Sequence, residues 1–368
     1  MTNKKRLLAA LRGHPVDYVP YSPNLAYWWD SQSEEFVKNG ELEFLKKIGA
    51  DPLFRGHYPQ HNKEWISPVL FKYSFKHTNV REIVSGTETI TTFDTPVGNL
   101  RYVKKYSASG NTTFLSEHAV KSEEDFKILT YLYEDIELEV DYKTFNEEAK
   151  KLGDEGLIIP TLVPIINKTS FQAMVEHWVG TEELVYLVCD YPKVVEETLG
   201  AMRLVTKKAA LISSQSDAEA FITWEDTSTT NISPQFYEKY IVPEIDDWCE
   251  ILHKNGKLYI QHACGHLKSL MPIIANSKID CIESISPPPT GNIELWEARD
   301  ILTDRISLVG GIEPTVLLSS TIDELKEYAE KLYRNIGDKG FILANSDSCP
   351  PGVEIEKLYL LKKIVKRL

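Results

Sequence analysis

From residue 120 onward the sequence alternates two patterns, and this alternation constrains the fold more than any other feature. Short apolar runs at 157–161, 220–224, 258–262, 280–285, 307–310 and 341–344 read as buried strands. Between them, apolar residues recur at helical spacing over 122–131, 142–152, 170–189, 192–214, 234–256, 267–275, 294–302 and 321–336. Local signals fix several helix ends. Ser233 and Pro234 open one helix, Pro243 predicts a kink within it, and Thr321 with Glu324 forms a capping box. Strands joined through helices run parallel with right-handed crossovers. The number of units and the length of 368 residues predict an α/β fold, a (β/α)8 TIM barrel rather than an open sheet. In such a barrel the chemistry sits on the loops after the strand C-terminal ends.

The N-terminal third reads differently. A helix over 3–11 is closed by Gly13, a second helix spans 34–48, and 51–55 is a strand. Over 71–115, Thr- and Val-rich runs are separated by turns at Ser85-Gly86, Thr95-Pro96-Val97-Gly98 and Ser109-Gly110-Asn111, the pattern of antiparallel hairpins. No flexible linker flanks them, so they read as an insertion into a single barrel domain spanning 1–368. The net charge is −13 and the largest basic cluster is Lys4-Lys5-Arg6, which argues against nucleic-acid binding. No apolar run reaches the length of about 18 residues that a membrane span requires. Five cysteines, an odd number at irregular spacing, argue against a disulfide framework and for the reducing cytoplasm.

The polar clusters fall at the strand ends: Glu225-Asp226, His262-Ala263-Cys264, Glu283, Gly310-Gly311 and Asp347-Ser348-Cys349. Residues two apart on an extended chain point the same way, so His262 and Cys264 project together with Cα atoms about 6–7 Å apart. An imidazole and a thiolate on one face can grip a metal ion, and Gly265 lets the backbone turn away sharply. With Cys349 at a second strand end, the expectation is one zinc ion held by His262, Cys264 and Cys349. Three N and S ligands leave a fourth position for a thiol, an ether oxygen or water, the arrangement of a catalytic site. Glu225 and Glu283 are candidates to fill it at rest; the competing reading is hydrogen bonding to backbone or to a basic side chain. Asp226 and Asp347 are candidates to orient His262. The competing reading of Cys264 and Cys349 is that of ordinary buried thiols, and this reading is adopted for Cys189, Cys249 and Cys281. Gly310-Gly311 reads as a tight turn after a strand. The aromatic residues Tyr27, Trp28, Trp29, Trp178 and Trp224 read as core, with an aromatic substrate pocket as the alternative.

At these residues the chain resembles the uroporphyrinogen decarboxylase superfamily, in particular its zinc-dependent corrinoid methyltransferase branch. The resemblance runs from Arg6-Leu7-Leu8-Ala9-Ala10-Leu11-Arg12-Gly13 and Asp17-Tyr18-Val19-Pro20, through Glu225-Asp226 and Ile232-Ser233-Pro234, to Gly310-Gly311-Ile312 and Pro350-Pro351-Gly352. Its discriminating motif is His-x-Cys with a distant Cys, which maps onto His262, Cys264 and Cys349. The resemblance implies a (β/α)8 barrel and zinc as cofactor. It also implies methyl transfer between a small-molecule substrate and a corrinoid (cobalamin) carried by a partner protein. The substrate is either a thiol acceptor or a methyl donor such as a methoxylated aromatic. One departure is informative. Decarboxylases of the superfamily carry an arginine-rich segment where this chain has Ser22-Pro23-Asn24-Leu25-Ala26-Tyr27-Trp28-Trp29, which argues against porphyrinogen as substrate. The alternatives are a metal-independent lyase and a non-catalytic barrel with a structural zinc.

Overall fold

The computed structural model describes residues 1–56, 70–108 and 112–365. Its strands, in chain order, are β1 (Leu53–Arg55), β2 (Phe71–Phe75), β3 (Asn79–Ser85), β4 (Glu88–Thr95), β5 (Gly98–Ser107) and β6 (Thr112–Glu117). Then follow β7 (Ile136–Val140), β8 (Leu157–Ile159), β9 (Ala220–Trp224), β10 (Leu258–His262), β11 (Cys281–Glu283), β12 (Ser307–Ile312) and β13 (Phe341–Asn345). The fold is α/β. A five-stranded parallel sheet has the order β13-β12-β11-β10-β9, and β1 pairs with β8 in a separate parallel ladder. Backbone hydrogen bonds link the edges of these ladders. Ile222 N donates to Pro160 O at 3.1 Å and Leu162 N to Ile222 O at 3.2 Å. On the far edge, Ser22 N donates to Leu343 O at 2.9 Å, and Asp51 N to Tyr21 O at 2.7 Å.

Period-two alternation along these strands produces two separate apolar cores. One gathers Leu53, Ile159, Ile222, Ile260, Val309 and Ala344 with Leu7, Ala10 and Leu11 of the first helix, Asn3–Leu11. The other lies between the strands and their covering helices and includes Phe221, Tyr259, Ile282 and Leu343. Burying one such side chain contributes about 1.5–3 kcal/mol. The alternation also decides the last residues of three adjacent strands. Trp224, His262 and Glu283 are in register across β9, β10 and β11 and continue the inward row of Ile222, Ile260 and Cys281.

The antiparallel excursion is a four-stranded sheet, β3-β4-β5-β6. Its inner face packs Phe93 and Tyr102 against Trp178, at ring-centroid distances of 5.8 and 6.4 Å. The expected turn at 109–111 lies outside the described residues. Phe71–Phe75 is not part of this sheet: it pairs with β7, a strand that the sequence reading did not anticipate. Two expected helices are broken by glycines. The 34–48 stretch divides into Glu34–Val37 and Glu41–Ile48 around Gly40. The 170–189 stretch divides into Ser170–Ala173, a π-helical turn Met174–Trp178, and Thr181–Asp190 after Gly180. Gly310-Gly311 is not a turn but part of β12. Gly311 has φ of 109°, and a Cβ there would stand 2.5 Å from Leu332 Cδ2, so the helix Ile322–Ile336 packs down onto bare backbone. Trp28, Trp29 and Trp178 are buried, as the core reading expects, whereas Tyr27 is exposed and Trp224 is only partly buried. Among the described residues no helix is long and apolar enough to cross a membrane.

At the N-terminal ends of the strands a buried charge cluster ties both chain ends to the sheet. Asp51 accepts from Arg6 Nη1 at 2.6 Å, Lys362 Nζ at 2.9 Å, Tyr21 N at 3.1 Å and Tyr18 OH at 3.2 Å. Arg6 also pairs with Asp17, at 2.6 and 2.9 Å.

Candidate metal centre

The centre is built on the C-terminal ends of β9, β10 and β11. His262 is the last residue of β10 and its side chain is 5% exposed. Its Nδ1 is in short contact with Glu283 Oε2, and the other Glu283 oxygen accepts from Arg55 Nη1 at 2.6 Å. Burial alone would raise the Glu283 carboxyl, but the charges of His262 and Arg55 outweigh it and hold it below the usual carboxylate range. An anionic Glu283 accepts the Nδ1–H hydrogen bond and so holds that proton on Nδ1, which makes Nε2, once it gives up its own proton, the ligand-bearing nitrogen.

That nitrogen faces Asp226 Oδ1 at 3.1 Å. Asp226 follows Glu225 at the end of β9, and the two carboxylates go to opposite sides. Glu225 follows the inward Trp224 and so turns to the outer layer, where it accepts from Thr169 N and Thr169 Oγ1, each at 2.8 Å. Burial pushes its carboxyl up to about 7 against those hydrogen bonds. Asp226 has φ of 44°, a left-handed conformation that short polar side chains tolerate, and this returns its carboxylate to the mouth. There Asp226 Oδ1 also lies 3.8 Å from Cys264 Sγ. One ligand atom each from Asp226, His262 and Cys264 lies within 4.8 Å of the others. The set is one carboxylate oxygen, one imidazole nitrogen and one sulfur, and zinc takes all three types. The side chain of Asp226 is 40% exposed, so the cluster opens to solvent on that side.

Gly265 makes the arrangement possible. With φ of 82° it takes the chain away from Cys264, and a Cβ would approach Ser228 Oγ to 2.9 Å. Trp224 forms the adjacent wall, its ring 5.0 Å from that of His262 at 63°.

Cys349 stands outside the set of three. Its thiol is buried in the outer core, 4.0 Å from Pro350 O, with its acidity pushed down by burial to a pKa of about 12. Its backbone is held on both sides: Cys349 N donates to Asn24 O, and Trp28 N donates to Cys349 O, each at 2.8 Å. Asp347 turns its carboxylate to Ser348 N at 2.6 Å. Cys249 and Cys281 are buried, Cys189 is exposed, and all five cysteines are free thiols.

Sequence reasoning passed over three charged residues around the centre: Arg55, Lys168 and Glu176. Arg55, the last residue of β1, reaches Glu283. Lys168 ion-pairs with Asp226 in a short contact and with Glu176 at 2.9 Å. Burial works against the Lys168 charge, and the two carboxylates outweigh it, raising its pKa. The available signal was position: Lys168 lies in the loop that follows a strand C-terminal end, where a barrel places its chemistry.

Comparison with known proteins gives a consistent family. The uroporphyrinogen decarboxylase (URO-D) family model matches residues 118–368. The uroporphyrinogen decarboxylase of Trichlorobacter lovleyi is 23% identical over 191 residues, 52% of this chain and 53% of that protein. That of Geobacter sulfurreducens is 22% identical over 194 residues, again 52% of this chain and 53% of that protein. The matches thus span about half the length of these curated relatives. Among solved structures, a methyltransferase from Methanosarcina mazei superposes with a TM-score of 0.60 at 13% identity, covering 100% of this chain and 99% of that one, which shows a shared fold.

Proposed function

We propose, from the premise that this chain belongs to the uroporphyrinogen decarboxylase family, that it is a zinc-dependent methyltransferase. It moves a methyl group between a small substrate and the cobalt of a corrinoid carried by a separate protein. The single observation that carries the reading is the convergence of His262 Nε2, Cys264 Sγ and Asp226 Oδ1 at adjacent strand ends, with Glu283 fixing the imidazole from behind. Porphyrinogen decarboxylation has no use for such a donor set, whereas an N, S and O set suits zinc.

Several finer readings belong to this proposal. The two parallel ladders and the Tyr21 segment are parts of one eight-stranded barrel; the edge hydrogen bonds at Ile222, Ser22 and Asp51 support it. The chain is one barrel domain with an antiparallel excursion over 71–115, working in the cytoplasm. The resemblance to the methyltransferase branch would make Cys349 a ligand with His262 and Cys264, whereas the geometry described above supports Asp226 in the third position.

Bound there, zinc supplies Lewis acidity, which keeps a thiol acceptor as thiolate at neutral pH or polarises the ether oxygen of a methyl donor. The protein's own groups do the rest. Glu283, anchored by Arg55, keeps the proton on His262 Nδ1 and so presents Nε2. Cys264 offers its sulfur as a thiolate ligand. The solvent-open side at Asp226 admits the substrate, and Trp224 gives its apolar part a wall. Displacement needs methyl carbon, heteroatom and cobalt nearly in line, so the corrinoid protein must dock over the mouth.

The test is a cobalamin assay. Zinc-loaded protein given methoxylated aromatics, methylamines or thiols, with free cobalamin or a corrinoid protein from the same source, is expected to interconvert cobalt(I) and methyl-cobalt(III) spectra. His262→Ala and chelated protein are expected to be silent. Turnover that survives complete metal removal contradicts the proposal and favours a metal-independent lyase.

A further inference from the structure

Three consecutive residues after β8 each hold one carboxylate of the neighbouring layer. Lys168 Nζ pairs with Asp226, Thr169 donates twice to Glu225, and Ser170 donates to Glu244 from its N at 2.9 Å and its Oγ at 2.8 Å. The outer two anchors are sealed. Glu225 and Glu244 are fully buried, and Glu244 takes a further hydrogen bond from Thr206 Oγ1 at 2.7 Å. Only the Lys168–Asp226 pair faces the mouth, where the Asp226 side chain is 40% exposed and that of Lys168 11%.

The division of labour within Asp226 is specific. Oδ2 goes to Lys168, and Oδ1 points at His262 Nε2 and Cys264 Sγ. The χ2 torsion of an aspartate is broad, so nothing intrinsic to the side chain fixes the plane of its two equivalent oxygens. Lys168 fixes that orientation, and it is fixed in turn. It is short-bonded to Trp224 O and paired at 2.9 Å with Glu176, whose other oxygen accepts from Gln172 Nε2 at 2.5 Å. Glu176 sits in the π-helical turn Met174–Trp178, a local irregularity of the kind that concentrates at functional sites.

We infer that Lys168 is the positioning residue of the metal centre: held by Glu176 and Trp224, it pins one oxygen of Asp226 so that the other is presented as a ligand beside His262 and Cys264. This inference rests on the metal reading above. It assigns Glu225 and Thr169 to anchoring the loop that carries Lys168 rather than to the chemistry.

Cobalt(II) alone is the probe, because its visible bands report coordination and its sulfur charge-transfer band reports Cys264. Lys168→Met is expected to weaken cobalt(II) affinity by about 10–100-fold, the usual cost of losing a group that orients a ligand, and to change the visible bands. Asp226→Asn is expected to produce the same loss and the same spectral change. The double variant Lys168→Met/Asp226→Asn is expected to lose no more than either single one, since both act on one ligand oxygen. Glu176→Gln, a gentler change that leaves Lys168 in place, is expected to lower affinity by less than Lys168→Met and guards against a Lys168 variant that fails to fold. Wild-type affinity and spectrum in a folded Lys168→Met protein, or losses that add in the double variant, overturn the inference while leaving the metal reading intact. Absence of any cobalt(II) binding by the wild-type protein overturns the metal reading itself, and the inference with it.

Discussion

The two ends of the parallel strands carry buried charge clusters built from similar parts but with opposite outcomes. At the N-terminal end, Asp51 meets Arg6, Lys362, Tyr18 and a backbone N–H, so its oxygens are surrounded by proton donors. At the C-terminal end, Asp226 gives one oxygen to Lys168 and the other to the imidazole of His262 and the thiol of Cys264. The first cluster closes on itself and ties the N-terminal helix and the C-terminal helix, Ile355–Val365, to the sheet. The second presents lone pairs of three metal-binding types to one point. A buried carboxylate surrounded by donors is a fastener; one facing other potential ligands is a site. The contrast follows the rule for parallel α/β sheets, in which ligands and chemistry gather beyond the C-terminal ends of the strands.

The largest expected effect separates the two ends outright. Asp51→Ala leaves Arg6 and Lys362 buried without their shared partner, a loss of about 3–5 kcal/mol, read as a lower denaturant midpoint. Metal content of the folded fraction is expected to stay at the wild-type level; a loss of metal would show that the two clusters are coupled. Next, Glu283→Gln removes the charge that orders His262 and is expected to weaken metal affinity by about 10–100-fold, measured by chelator competition. Unchanged affinity would move Glu283 from the site to the scaffold. Third, Cys281→Ala, in the inward core below His262, is expected to cost about 1 kcal/mol through the space it leaves with metal content unchanged. Metal loss there would mean that the wrong cysteine has been assigned. The smallest effect is at the surface of the N-terminal end. His253 is raised above its ordinary pKa by its hydrogen bond to Asp280, which is 2.9 Å long. A raised pKa stabilises the fold where the imidazole is charged in both states, below about pH 6.5, and the gain fades as pH climbs through the raised value. His253→Gln should therefore be less stable than wild type by about 0.5 kcal/mol at acidic pH and equal to it under alkaline conditions. An equal difference at every pH would remove the charge pair from the account.

Much of this architecture can be read from the sequence. Pro192–Ser214 and Ala220–Trp224 end where apolar spacing and proline signals place their ends, and the Thr321–Glu324 capping box is present. The broken helices escaped because tertiary contact overrode local pattern. Gly40 and Gly180, with φ of 82° and 93°, interrupt stretches whose spacing is helical throughout. The partner of β2 is β7, whose sequence Ile136-Glu137-Leu138-Glu139-Val140 alternates apolar and charged residues as a strand does, a short local signal that the helical reading of the flanking stretches passed over. In the site, His262 and Cys264 are legible because a two-residue spacing at a strand end carries its own geometry. Lys168 is marked in the sequence only by its place in a loop after a strand end, and its meeting with Asp226, 58 positions away, has no local signal. Cys349 shows the limit of the same reasoning: its strand end is correctly located, while its buried thiol lies in the outer layer.

The most direct measurement is zinc content by elemental analysis of the purified wild-type protein beside His262→Ala, Cys264→Ala and Cys349→Ala. One zinc per chain in the wild type, with none retained by His262→Ala or Cys264→Ala, is the predicted result. The Cys349→Ala value then decides whether that thiol joins the ligand set or Asp226 keeps the third place. A wild-type protein that takes up no zinc, or full zinc in both the His262→Ala and Cys264→Ala proteins, would contradict the account.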